Sequence, residues 1–316
     1  MLGFDMLDVL IGLVTVYLTF GIACTAFVEA ISSIAGLRAR SLRDGLNEFF
    51  SGSIGMENGE KKSFADAFFK HPLVRTLSRG EEGRPSYIPS EIVGQAVASL
   101  LNYGDAAEAL REKLESLPGE KPGENPIKDL LLVFYEQARG DVVAFREKVV
   151  AHFDASMERV SGWFKRRTQY MAIGISMMLV CFANVDSVDI AHSLALNPEA
   201  RASLVKYAEQ LLTQREAIEA ELEKTEKSVT PGLEAARKKT EAARDAFTKA
   251  VSSIENGGLK IGWEKWPDGL AEWFSKIVGL LVSALAVSLG APFWFQVLQR
   301  FVKVRGTGGT TEKTPK

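Results

Sequence analysis

The chain has 316 residues, enough for one or two soluble modules beside membrane-spanning helices. Its 38 Lys and Arg against 40 Asp and Glu leave a net charge of −2, so nothing electrostatic recommends a nucleic-acid partner. Cys24 and Cys181 lie inside apolar runs and the three histidines show no HxxxH spacing, which argues against a disulfide framework and against a metal or cofactor site.

Residues 1–8 carry Asp5 and Asp8 and are read as an outer N-terminus. A run of 20 residues without a charge follows, 9–28, inside a first transmembrane segment placed at 9–37. It is too long, and too poor in preceding basic residues, for a signal peptide. Gly12, Thr15 and Thr19 recur at helical spacing, continued by Ala23, Ala26 and Ala30, and small residues let helices approach closely in lipid. Glu29 is the ionisable residue at the end of this run. It marks either the cytoplasmic interface or a buried, paired position, and in the second case a functional one such as a pore wall. Arg38, Arg40 and Arg43 then place the following segment on the cytoplasmic side.

Residues 38–168 read as a helical cytoplasmic module. Apolar stripes recur at Leu42, Leu46, Phe49 and Phe50 and again at Phe64, Ala67 and Phe68. Pro85 and Pro89 mark a loop, Ser90 caps a helix stopped near Asn102–Gly104, and Asp105 opens another that ends before Pro118. After the loop at 118–126 a further helix covers 127–138. Asp141 caps a long helix that runs toward the membrane. No alternating apolar pattern predicts a sheet of any size.

A second span is read at 169–185, between Lys165, Arg166 and Arg167 on one side and Asp186 and Asp189 on the other. Residues 186–272 are expected to form an extracytoplasmic antiparallel helical hairpin. Asn197-Pro198 starts its first helix and Thr230-Pro231 its second, each with a thin Leu/Ala seam in a mixed-charge surface. The larger apolar residues Tyr207, Leu211, Phe247 and Val251 are the expected docking anchors for a partner. Trp263 and Trp266 suggest a turn at the membrane surface.

The last span is placed at 273–299, where 277–299 holds 23 residues without a charge, about the length that a hydrocarbon core of roughly 30 Å requires. Gly279, Ser283, Ala286 and Gly290 share one face and predict close helix packing. Pro292 invites a kink before Phe293, Trp294 and Phe295. The basic, glycine-rich tail 300–316 reads as disordered and cytoplasmic. The fold class is therefore all-α, with three transmembrane helices, the N-terminus out and the C-terminus in.

No catalytic signature emerges. His71 with Asp66 reads as a histidine at a helix end before a proline turn. His152 and Asp154 lie on different helix faces, and Asp154, Glu158 and Arg159 fit simple ion pairing. The glycines at 306–309 have no strand before them and no helix after them, as a phosphate loop would need.

Several stretches taken together are distinctive: HPL at 71–73, PSYIPS at 85–90, MERVSGWFKRRTQ at 157–169, NVDSVDIA at 184–191 and SLGAPFWF at 288–295. In these the chain resembles a widespread family of bacterial integral membrane proteins. The resemblance implies a bacterial inner-membrane protein and carries over no catalytic or binding residue. Members of that family usually have an acidic residue where this chain has Gln296.

Three readings compete. The favoured one is a non-catalytic membrane protein that self-associates as a homo-oligomer or scaffolds a protein partner, in contact with the lipid bilayer. The second is a subunit of an oligomeric channel or a membrane-permeabilising effector, with Thr15, Thr19, Ser283 or Glu29 lining the path. The third is a membrane-bound enzyme using the cytoplasmic module.

Overall fold

The structure is a computed structural model and describes residues 2–57, 60–77, 85, 87–101, 107–227, 233–263 and 266–308. The sequence expectations at 78–84, at Asn102–Gly104 and Asp105, at Thr230-Pro231 and in the tail from 309 fall outside them. The described chain is helical apart from one two-stranded hairpin, and it divides into two compact units, Gly36–Arg166 on the one hand and Met1–Ala35 with Arg167–Lys316 on the other.

In chain order the first helix is α1 (Leu2–Ile34), which belongs to the second of these units. The unit Gly36–Arg166 contains α2 (Leu37–Phe49), β1 (Ser53–Glu57), β2 (Glu60–Ser63), α3 (Phe64–Lys70), α4 (Pro72–Arg75), α5 (Ser90–Leu101), α6 (Ala107–Glu115), α7 (Pro126–Gln137) and the first part of α8 (Val142–Ala183). Its core is aromatic. Phe50 stacks on Phe64 at 5.1 Å and leans on Phe68 at 4.6 Å, and all three are fully buried. Burying each stabilises the unit by about 2–3 kcal/mol. Asn125 is fully buried: its Oδ1 accepts from the Ser53 N–H, and its Nδ2 donates to the carbonyls of Ser53 and Pro118. It thereby ties the hairpin to the start of α7. The Lys128 ammonium donates to three carbonyls, of Glu115, Leu117 and Gly119, and so closes the end of α6. Asp141 caps α8 as the sequence suggests, accepting from the N–H groups of Val143 and Ala144.

β1 and β2 are the part that an apolar-periodicity reading overlooks. They pair antiparallel, with Ser53 opposite Ser63 and Gly55 opposite Lys62. The local signal was Asn58-Gly59, a dipeptide suited to a tight hairpin connection.

The other unit adds the end of α8, α9 (Ser187–Leu196), α10 (Pro198–Thr213), α11 (Arg215–Lys227), α12 (Leu233–Asn256), α13 (Leu270–Ser288) and α14 (Ala291–Gly308) to α1. Asn184 adopts a left-handed conformation (φ 50°) after α8. Asp186 then caps α9 and Asn197 caps α10, each accepting from two backbone N–H groups. Two helices are long and apolar enough to cross a membrane, Asp5–Ile34 and Leu270–Ser288. The pair Val142–Ala183 and Ser187–Leu196, bent by 51°, makes a third if it counts as one span.

α1 is the centre of this unit. α12, α14, α10, α9 and α13 all pack on it, and between Ile11 and Ala30 its side chains are buried or half-buried. Close approach depends on small residues: Gly12 meets Leu194 of α9 and Leu204 of α10, and Gly21 meets the backbone at Ala291.

Two sequence expectations need correction here. The segment 273–299 is not one helix. Gly290 takes a positive φ of 79°, α13 stops at Ser288, and α14 leaves in a new direction. Trp294 lies at 4.9 Å from Tyr17 and Arg305 at 2.7 Å from Asp8, so α14 runs antiparallel to α1. Trp294 is accordingly buried, its indole N–H donating to the Ala286 carbonyl at 2.6 Å. The segment 186–272 is likewise not a free hairpin closed by its own seam, because α12 packs chiefly against α1. A thin Ala-rich stripe buries too little area to hold two helices together, and the long uncharged run of α1 offers a better partner.

Candidate functional site

The residues singled out for helix packing are all used inside the chain. A Cβ on Gly279 would overlap the Asp186 carboxylate, so α13 and the start of α9 touch there. Ser283 shares a 2.6 Å hydrogen bond with Ser187, which in turn shares one of 2.7 Å with the Tyr17 hydroxyl. Ala286 receives the Trp294 indole on its carbonyl, and Gly290 forms the break. Thr15 and Thr19 are buried and donate to carbonyls four residues back, on Ile11 and Thr15.

The docking anchors are also occupied. Leu211 is buried, and Tyr207, Phe247 and Val251 are half-buried against the core around α1. The Phe247 ring meets Phe20 at 6.1 Å and Phe182 at 6.0 Å. His71 caps α4 through Nδ1, which accepts from the Leu73 N–H. Among the described residues, no group of three His, Cys, Asp or Glu side chains is placed to hold a metal ion.

Among the described residues, two polar centres in the unit built on α1 combine a charge pair with low exposure. At the first, Asp186 is 2% exposed although the sequence makes it an outer flank. One carboxylate oxygen caps α9 and the other lies 3.3 Å from the Lys276 ammonium, which also pairs with Asp189 at 2.8 Å and sits 5.6 Å above the Trp263 ring. Trp263 donates to the Cys181 carbonyl, and Asn184 donates to that of Gly262, which fixes this corner. Its chemistry is that of a lock: Asp186 and Asp189 both pair with Lys276. Sequence reading missed Lys276 and the role of Asp186, although a lysine directly before a 23-residue uncharged run was a usable signal.

At the second centre Glu29 is half-buried and paired, nearer to the second of the two alternatives left open from sequence. Its carboxylate accepts from Lys239 of α12 at 3.4 Å, and the two side chains are 17% and 7% exposed. The pair borders an open cavity of about 790 Å³ lined by α1, α10, α11 and α12. Thr19, Ile22 and Ala26 of α1 form one wall, and Tyr207, Leu211 and Ile218 face them. Thr19 and Glu29, listed from sequence as pore walls, do line this space, whereas Thr15 and Ser283 are packed away from it.

Fold and site together define an all-α protein with two or three helices apolar enough for a membrane and two enclosed charge pairs around the first of them. Compared with known proteins, the chain matches no family model, no curated protein and no solved structure.

Proposed function

We propose that the chain is a non-catalytic membrane protein that self-associates, or scaffolds a protein partner, through the polar face of α10–α12. Its placement in a bacterial inner membrane rests on the sequence resemblance. The observation that carries the reading is the two-sidedness of the unit around α1. α13 turns Leu270, Phe274, Leu281, Leu285 and Leu289 outward, and Trp266 and Trp273 stand near its start. α12 turns Arg237, Glu241, Arg244, Thr248 and Lys249 outward while it lies along α1.

A bilayer solvates the first face and rejects the second, since a charge at the centre of a spanning helix costs about 2.5–3.5 kcal/mol on insertion scales. With α1 at membrane depth, another protein surface or water must cover α12. Association through α12 meets that requirement. The same observation favours, as the second reading, copies arranged with their α12 faces around a water-filled lumen.

Crosslinking in native membranes tests both. In a background with Cys24→Ala and Cys181→Ala, Thr248→Cys should give a crosslinked adduct and Leu285→Cys should not. Conductance of the reconstituted protein then separates lumen from scaffold. A monomer in mild detergent that crosslinks at neither position would end both readings.

A further inference from the structure

α2 and the first part of α8 lie antiparallel in the unit Gly36–Arg166. The Arg38 guanidinium sits 5.6 Å over the Phe164 ring, Gly45 meets Val160, and the rings of Phe49 and Phe153 are 5.8 Å apart. That pairing gathers basic residues of two distant segments at one end of the unit. Arg40 on α2, and Lys165 and Arg166 on α8, stand within about one turn of the Arg38–Phe164 contact. All three are exposed, and among the described residues no carboxylate lies within ion-pair distance of any of them. The nearest acid along α2, Asp44, is about one turn beyond Arg40, and Glu158 is about two turns before Lys165. Arg43 adds a further cation, 5.9 Å over the Phe69 ring. Gly36 leads from this end straight back to α1, and α8 runs on through Arg167 toward its bent junction with α9. The basic end thus adjoins, along the chain, the segments apolar enough to cross a membrane. Trp163, 45% exposed on the same stretch of α8, is a residue type that favours headgroup depth. Guanidinium and ammonium groups at such a surface are matched by phosphate oxygens, and clusters of Lys and Arg beside a span attract anionic lipid.

We infer that this basic end of the unit holds the headgroups of anionic phospholipids, with Arg40, Lys165 and Arg166 on the phosphates. The inference rests on the membrane placement proposed above and is independent of association through α12. A zwitterionic headgroup brings its own ammonium group to the same cations and so binds more weakly.

The test uses the full chain, delipidated in a neutral detergent. Dioleoyl phosphatidylglycerol is titrated against dioleoyl phosphatidylcholine, and bound lipid is counted by native mass spectrometry. Phosphatidylglycerol should bind about tenfold more tightly, and added salt should narrow the difference. The triple variant Arg40→Gln, Lys165→Gln, Arg166→Gln should lose that preference. A control that removes three exposed cations elsewhere in the unit, Lys70→Gln, Arg75→Gln and Lys113→Gln, should keep it. Both variants should unfold near the parent temperature, since surface substitutions away from paired groups change stability little. Equal binding of the two lipids by the parent, or an equal preference in both triple variants, would overturn the inference. Displacement of phosphatidylglycerol by inorganic phosphate at equal concentration would overturn it too, assigning the cations to a soluble anion. A chain that stays in solution once detergent is removed would defeat the membrane placement and the inference together, whereas the lipid comparison failing alone would defeat only the inference.

Discussion

Arg305 near the end of α14 lies 2.7 Å from the carboxylate of Asp8 near the start of α1. The basic C-terminal segment and the acidic N-terminal segment therefore meet at one end of α1, whereas charge asymmetry along the sequence had put them on opposite sides of the membrane. The difference arises at Gly290, where the chain turns and α14 runs back along α1 from Gly21 to Asp8.

A topology prediction follows from that ion pair. Compartment reporters fused before residue 2 and after residue 308 should report the same side of the membrane. Opposite sides would mean that the Asp8–Arg305 contact does not exist in the cell.

Lys239 and Glu29 form a largely buried pair, and removing one member of such a pair leaves the other poorly compensated. Lys239→Met should destabilise the chain by about 2–4 kcal/mol. Thermal unfolding in nanodiscs of Lys239→Met, Glu29→Gln and the double variant would check it. The double variant should cost clearly less than the sum of the singles; strict additivity would show that the two side chains do not interact.

Gly279 faces the Asp186 carboxylate with no space for a side chain. Gly279→Ala should push Asp186 off Lys276 and off the α9 N-terminus, at a cost of about 2–4 kcal/mol. Leu281→Ala, on the exposed face of the same helix, should change stability by less than about 1 kcal/mol. Equal unfolding temperatures for the two variants would contradict the packing of α13 on α9.

His152 lies between the rings of Phe49 and Phe134, at 5.7 and 5.2 Å. Burial, and then the positive charge of Arg159, hold its pKa below the ordinary value of 6.5. The folded unit thus binds this proton less readily than the unfolded chain, so the contribution of His152 to stability is complete above pH 6.5 and is lost as the pH falls below it. The protection of core amides in the unit Gly36–Arg166, with the intrinsic exchange rate divided out, should therefore fall between neutral and mildly acidic pH, and His152→Gln should flatten that dependence. An unchanged profile in the variant would assign the acid sensitivity to another group.

Much of the local structure was legible in the sequence because its causes are local. Asp141 and Asn197-Pro198 start helices where capping chemistry says they should, and Asn256-Gly257-Gly258 ends α12. The apolar stripes at Leu42–Phe50 and Phe64–Phe68 meet in one core, since an amphipathic face must be buried against something. His71 before Pro72 stands at a helix end, as its neighbours implied. The β1–β2 hairpin escaped because its signal was a dipeptide and not an alternating pattern.

By itself, then, the sequence determined where capped helices such as α8 and α10 start, which segments avoid water, and that no familiar constellation for catalysis is written in it. It left open what covers each apolar segment. A long uncharged run, such as residues 9–28 of α1, satisfies its side chains equally well in lipid or in protein, and nothing in those residues distinguishes the two. Only the tertiary structure decided that α1 is wrapped by α9, α10, α12, α13 and α14, that Gly290 sends the last helix back along it, and that Asp186 and Glu29 find Lys276 and Lys239. The physical reason is that such pairings join residues 90 to 210 positions apart, where side-chain spacing along one helix carries no information about its partner.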